Sequence, residues 1–293
     1  MLTFALGDMT VTEICEIRSF GIPLAIIFPR SDHQKLQRYL HWLEPSFLNH
    51  GNVRLAVRSW LLKRKGRNIL VDSCVGNHKK RPARSDWHER KDTSWMEALA
   101  STGLKPEDIH IVFCTHLHAD HVGWNTKLEN GRWVPTFPNA RYITGRTEYA
   151  HWEAEIAASE QIVGHGCFED SVLPVMESGQ MDLVTDGFQL ADGLVLKSSA
   201  GHTPGHMSID ANCEGHTGVF CGDVLHSPIQ MVQPDWSSAF CFDQKLARQA
   251  RLTLLDSLCD TSRLLIPMHF GNTGSCYVKR HEDVFMPVFS DSD

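Results

Sequence analysis

The chain has 293 residues, a formal net charge of −7, 42% hydrophobic and 22% charged residues, the profile of a globular protein with enough apolar material for a dry core. An acidic total with scattered basic residues argues against a nucleic-acid backbone as substrate, and no apolar block is long enough for a signal peptide or a membrane span. Nine cysteines, an odd number with no Cys-x-x-Cys pair, read as reduced, mostly buried thiols of a cytoplasmic protein.

Met9 to Arg18 and Val53 to Leu62 alternate as strands, the second with Val53, Leu55, Val57 and Leu61 on one face. Between them, Ser31 to Leu43 places Leu36, Tyr39, Leu40 and Leu43 at helical spacing, and Pro45 stops it. Lys65-Gly66 turns the chain back into an apolar strand ending at Asp72. That carboxylate either caps a turn or orients a nearby ligand, and support of a ligand is the stronger reading. Residues 76–93 are basic, polar and aperiodic: a solvated loop, or, because they carry Trp87, a lid over a site. Ser94-Trp95-Met96-Glu97 has the form of a capping box opening a helix that ends near Gly103.

The most informative stretch follows. Ile109 and Ile111 to Cys114 form a short buried strand that opens into Thr115-His116-Leu117-His118-Ala119-Asp120-His121. In an extended segment His116 and His118 project to one side, while Asp120 and His121 lie past the bend and face a second point. This is the geometry of two adjacent metal ions, about 3.5–4 Å apart, that share a water. With 17 histidines in the chain, a polar loop with incidental histidines competes. It fails because later strands deliver further ligand-type residues: Leu194 to Ser199 runs into Gly201-His202-Thr203-Pro204-Gly205-His206, Thr217 to Cys221 into Gly222-Asp223, and Arg263 to Ile266 into Pro267-Met268-His269.

The remaining elements carry less chemistry. A helix from about Thr147 to Ala158 spaces Tyr149, Trp152 and Ile156 as core residues, and His165-Gly166-Cys167 has ligand-type residues without a spacing partner. The last helix starts at Asp243 as N-cap, with Leu246, Ala250, Leu254 and Leu258 on the face that packs on a sheet. No linker or repeat divides the chain, so residues 1–293 read as one domain. Strand clusters each followed by helices imply an α/β fold of two sheets packed face to face with helices outside.

These motifs closely resemble those of the metallo-β-lactamase fold superfamily across nearly the whole chain. The resemblance implies an αββα sandwich of two mixed β-sheets with the site at one edge. It also implies that His116, His118 and His202 bind one metal and Asp120, His121 and His269 the other, with Asp223 bridging. Two divalent ions are then the cofactors. Zinc leads, and manganese, iron and cobalt suit the same donors. Asp120 is a ligand first, since coordination withdraws the lone pair a general base would use. Asp72 and His206 are expected behind the ligands.

Departures within the superfamily narrow the branch. The commonest class B β-lactamases carry Cys where Asp223 stands, and the flavodiiron branch carries Glu in place of His118. Ribonuclease-type members bring a basic exosite, and glyoxalase II-like thioesterases a glutathione-binding cluster, neither of which is evident here. What remains resembles the N-acyl homoserine lactonases and the related organophosphate hydrolases. The expected activity is hydrolysis of a lactone or carboxylic ester by a metal-bridging hydroxide. A phosphotriesterase or arylesterase is the alternative within enzymes, and a non-catalytic metal- or nucleic-acid-binding member the alternative outside them. Several lactonases place a Tyr three residues after the bridging Asp. Here that position is His226, which can assist the leaving alkoxide or merely face the substrate. Trp124, Trp133, Phe137, Met231 and Trp236, close in sequence to ligands, are the candidates to hold an acyl or aryl group. The expected partner is a small-molecule ester or lactone, with no nucleic acid and no membrane, and a homodimer is compatible with that reading.

Overall fold

A computed structural model describes residues 1–271 and 273–289. The chain forms two compact units, one from residues 1–16 and 57–186 and the other from residues 17–56 and 187 onward. The strands Met9–Pro23 and Asn52–Arg64 each carry the chain from one unit into the other. Among the described residues no helix is long and apolar enough to cross a membrane, and all nine cysteines are free thiols.

The first sheet orders its strands Thr3–Leu6, Met9–Pro23, Asn52–Arg64, Arg67–Val71, Ile111–Phe113, Arg141–Gly145 and Met181–Val184, with Leu48–Asn49 paired to Asn52–Arg64. Its last four strands are parallel, with Val71, Phe113 and Ile143 in register. Because parallel neighbours end together, the residues that follow them gather at one edge, the usual place for a site in such a sheet. Asp72 and the Thr115–His121 stretch leave the sheet at that edge. The strand Asn52–Arg64 is buried from Leu55 to Leu62 rather than alternating. Two-sided burial removes the alternation, and its one buried cation, Arg58, meets Glu13 at 3.3 Å.

The second sheet runs Gln189–Ala191, Leu194–Ser198, Met207–Cys213, His216–Phe220, Leu264–Ile266, Cys276–His281 and Val284–Phe289. Here too one pair is parallel, Gly218–Phe220 against Leu264–Ile266, and the ends of those two strands deliver Asp223 and His269. Two mixed sheets with helices define the α/β class expected.

Several local expectations need correction. The segment after Ser31 is a 3-10 helix over His33–Tyr39, capped by Asp32, with only one α-turn at Leu40–Leu43. The helix Ser94–Ser101 is not opened by Ser94. Asp92 Oδ1 accepts the Ser94 N–H at 2.8 Å, and Thr93 Oγ1 donates to Glu97 at 2.7 Å. Asp243 caps Gln244–Leu258 as expected, accepting from Lys245 and Leu246 N–H. The fully buried face, however, is Ala247, Arg251, Leu255 and Leu258, and Leu246 is exposed. The rotation follows from Arg251, whose guanidinium donates to Val224 O at 3.2 Å and Pro234 O at 2.7 Å inside the unit.

Candidate metal centre

In the first unit the Thr115–His121 loop is held by a chain of hydrogen bonds that fixes its imidazoles. Asp72 Oδ1 accepts the Thr115 N–H at 2.7 Å and Oδ2 accepts the Thr115 hydroxyl at 2.9 Å. Since that hydroxyl gives its proton to Asp72, its oxygen accepts from His116 Nδ1, 3.0 Å away. His121 Nδ1 lies 2.9 Å from Asp72 Oδ2 and must likewise donate, because a carboxylate only accepts. In both rings Nδ1 therefore carries a proton, and Nε2 is left to face the neighbouring residues of the loop. His118 Nδ1 stands 2.9 Å from His116 Nε2, and Asp120 Oδ1 is 3.8 Å from His121 Nε2.

Supports behind this loop come from residues that sequence reasoning missed. Glu148, fully buried on the Arg146–Ala158 helix, accepts the Leu117 N–H at 3.0 Å and the Trp152 Nε1–H at 2.7 Å, and Trp152 packs edge-on to the His118 ring at 5.5 Å. Glu16 accepts from Val75 N, Gly76 N and Trp124 Nε1, and burial raises its pKa despite those donors. Gly123 belongs to the same packing. A Cβ there would fall 1.8 Å from Val75 O, so no larger residue fits. A lone carboxylate on a helix or strand gives no sequence signal of such a role.

In the second unit three imidazoles converge on one carboxylate. His202 Nε2 and His226 Nε2 each lie 3.3 Å from Asp223 Oδ2, and His269 Nε2 lies 3.0 Å from Oδ1. His269 Nδ1 donates to the Ala56 carbonyl at 2.8 Å, which turns Nε2 to Asp223. His202 Nδ1 faces the Cys241 thiol at 3.6 Å. Burial pushes the Cys241 thiol up to about 11, so it stays protonated. His206 plays a different part. Its Nε2 accepts the Asp223 N–H at 3.0 Å while Nδ1 donates to Ser199 Oγ at 2.8 Å, which pins the backbone that presents the carboxylate. His226 lies parallel to His269 with ring centroids 5.9 Å apart, and its buried Nδ1 has no hydrogen-bond partner among the described residues. Burial lowers its pKa against the pull of Asp223.

The donor set fits divalent transition metals. His202, Asp223 and His226 offer ligand atoms within 4.8 Å of one another. Imidazoles whose far nitrogen is already bound to a carboxylate, hydroxyl or carbonyl are oriented as metal ligands are.

The aromatic candidates are placed otherwise than expected. Trp124 stacks on Trp95 at 5.3 Å, and Phe137 packs against Trp95 and Tyr142; both are core. Met231 and Trp236 are buried in the core of the second unit, Trp236 beside Phe28. Trp133 alone is partly open, on a cavity of about 530 Å³ with His78 and Lys80, and its ring faces Lys79 Nζ at 3.5 Å. Sequence proximity to a ligand does not fix the side to which a side chain points. Residues 76–93 are not simply a solvated loop either. Lys79 and Arg81 are fully buried, and Arg81 makes a bidentate pair with Asp170 at 2.7 and 2.8 Å.

A family model of the metallo-beta-lactamase superfamily matches residues 53–274. The chain belongs to this superfamily. Among more particular relatives, an N-acyl homoserine lactonase of Bacillus thuringiensis is 28% identical over 114 residues, 39% of this chain and 37% of that protein. The lactonase AttM of Rhizobium radiobacter is 24% identical over 55% of this chain and 63% of its own length. The chain thus spans little more than a third of the Bacillus lactonases it matches. In fold it is similar to the hydrolase AbOPH of the beta lactamase superfamily, with a TM-score of 0.83, 20% identity, and coverage of 99% of this chain and 97% of that one. The dizinc quorum-quenching lactonase AidC gives 0.82 at 20% identity with the same coverages.

Proposed function

We propose that this protein is a metal-dependent hydrolase that opens a lactone or cleaves a carboxylic ester. His116, His118, Asp120, His121, His202, Asp223 and His269 are the proposed ligands of two divalent ions, zinc first among them. The observation that carries the reading is the set of imidazoles on His116, His121 and His269, each with Nδ1 committed to a hydrogen bond and Nε2 turned to another proposed ligand, His118, Asp120 and Asp223 in that order. The lactonase relatives support the ester or lactone class. Ions held there would polarise a carbonyl and acidify water to near neutral pH.

The chain's own residues divide the remaining work. Asp72 holds His121 and, through Thr115, His116 in the ligating tautomer, and Glu148 fixes the backbone between His116 and His118. His206 sets the angle of Asp223. His226, buried and with neither ring nitrogen hydrogen-bonded among the described residues, would donate a hydrogen bond to the departing alkoxide.

Elemental analysis of protein purified without chelator, paired with a panel of lactones, aryl esters, phosphotriesters and a thioester, tests this reading. Two ions per chain and fastest turnover of a lactone or alkyl ester are expected. A preference for phosphotriesters would move the assignment to the organophosphate branch. Bound metal without turnover of any substrate would sink the hydrolase.

A further inference from the structure

In the second unit the Gln244–Leu258 helix does not seal the sheet beside it. Alternation along the strands gives that sheet two faces. Leu194, Leu196, Ile209, Ala211 and Phe220 are fully buried on one. On the other, Val195, Asp210 and Val219 stand opposite one another in register, with Lys197 two residues along. Between this outer face and the helix lies a groove of about 530 Å³, within the size range of small-molecule sites. Val219, Val224, Leu246, Ala250 and Leu254 form its apolar floor. Leu246, Ala250 and Leu254 have the spacing of four that predicts a core-facing stripe. With Arg251 turned inward they are left exposed or half-buried along the groove instead. None of the proposed metal ligands lines it.

The polar groups around the groove are unevenly satisfied. Ser208 Oγ donates to Lys197 O at 3.4 Å and Ser257 Oγ to Leu254 O at 2.7 Å, so these hydroxyls are spent on the protein's own backbone. Arg263 pairs with Asp210 at 2.7 Å, and Asp210 is the one carboxylate in the lining. Lys197 is the cation left over, its exposed ammonium without a carboxylate partner among the described residues. We propose that this groove binds an amphipathic monocarboxylate, a fatty-acid anion of medium chain length, with its hydrocarbon on Val219, Val224, Ala250 and Leu254 and its carboxylate at Lys197. An apolar floor takes methylenes, and one unpaired cation at its edge takes one negative charge. A neutral chain would leave the lysine unpaired. The same groove of a second copy would bring another lysine and no unpaired carboxylate.

The test is binding, which needs no turnover and does not depend on the hydrolase reading. Hexanoate, octanoate and decanoate are titrated calorimetrically into metal-loaded protein, below the concentrations at which they form micelles. A wholly buried methylene is worth about fourfold in affinity, and in an open groove about twofold per methylene is expected. Ala250→Glu sets a like charge in the floor and should weaken octanoate by at least about tenfold, whereas Ala250→Lys should keep it within about twofold or tighten it. Both replacements are good helix formers at a half-buried position, so both variants should fold, which circular dichroism checks. Lys197→Met should weaken octanoate by about threefold to fivefold, the scale of one exposed ion pair, and leave octan-1-ol unchanged, while Lys197→Arg retains the wild-type affinity. Absence of saturable binding by the wild type overturns the proposal. So does octanoate affinity that Ala250→Glu leaves intact, because the anion then lies elsewhere, on the metal ions included. A wild type that light scattering shows to be dimeric, an Ala250→Glu variant that is monomeric and no octanoate bound by either would give the groove to a second copy.

Discussion

Asp223 is the residue on which the second unit's chemistry turns. Two imidazoles stand 3.3 Å from one of its oxygens and a third 3.0 Å from the other, while its own N–H is fixed by His206. Replacement by Ala removes a proposed ligand, so Asp223→Ala should lower metal affinity and turnover together by at least about 10–100-fold, the range found even for losses behind the ligands. Atomic absorption after dialysis reads the first and initial rates the second; retention of both would show that another residue bridges. His226 calls for a finer measurement. If it helps an alkoxide leave, His226→Phe should slow an alkyl lactone by about 10²-fold and a nitrophenyl ester much less, since a stable phenolate needs no proton. Equal loss on both substrates would reduce His226 to a wall. The ligand candidates were legible because strand ends deliver them in tight clusters. Glu148, Glu16 and Cys241 were not, since each is a single residue whose partner lies far away in sequence.

At the scale of elements, residues 76–93 behave as a strap built on buried charge. Lys79 Nζ donates to Thr126 Oγ1 at 2.6 Å and Asp170 O at 3.0 Å, and Arg81 adds its bidentate pair to the same Asp170. The basic run read as solvated because its anion lies about ninety positions later, beyond any local pattern. Asp170→Asn leaves two buried cations facing a neutral amide and should cost about 3 kcal/mol in a urea titration, near the lower end for breaking a buried pair. A loss under 1 kcal/mol would mean that the backbone carbonyls alone suffice. Burial lowers the Lys79 pKa from 10.5 to about 7, against the pull of Asp170. Between those two values the unfolded chain holds a proton that the folded chain does not, so this residue makes stability rise with pH across that window. Wild type should gain on the order of 1 kcal/mol per pH unit from about pH 7 to pH 9 relative to Lys79→Met, and parallel curves for the two proteins would refute it. The Gln244–Leu258 helix teaches a related lesson. Its leucines at spacing four suggested the inner face, yet the buried Arg251 turned the helix so that Leu246 faces out.

For the molecule as a whole, the α/β class and the two sheets followed from strand clusters and helix spacing and their mixed pairing from the family resemblance, whereas the division of the chain at residues 16 and 56 left no trace in composition. At residues 16 and 56 two strands carry the chain across without a glycine or proline, so no linker signal exists to be read there, and at residue 186 the crossing is the Asp186-Gly187 turn. The proposed ligands come from both units in the chain, and an ion that binds only the native state stabilises it by mass action. At a free ion concentration a thousandfold above the dissociation constant, each site contributes about 4 kcal/mol. For a chain of this size that corresponds to a fall in Tm of about 10 °C or more on removal of metal. Calorimetry before and after chelation, with zinc added back, measures the shift and its reversal. His121→Ala in one unit and His269→Ala in the other should each bring the untreated protein down toward the chelated value, because each removes a proposed ligand. Should His121→Ala and His269→Ala both keep the metal-dependent shift in full, the ions sit elsewhere and the ligand assignment falls.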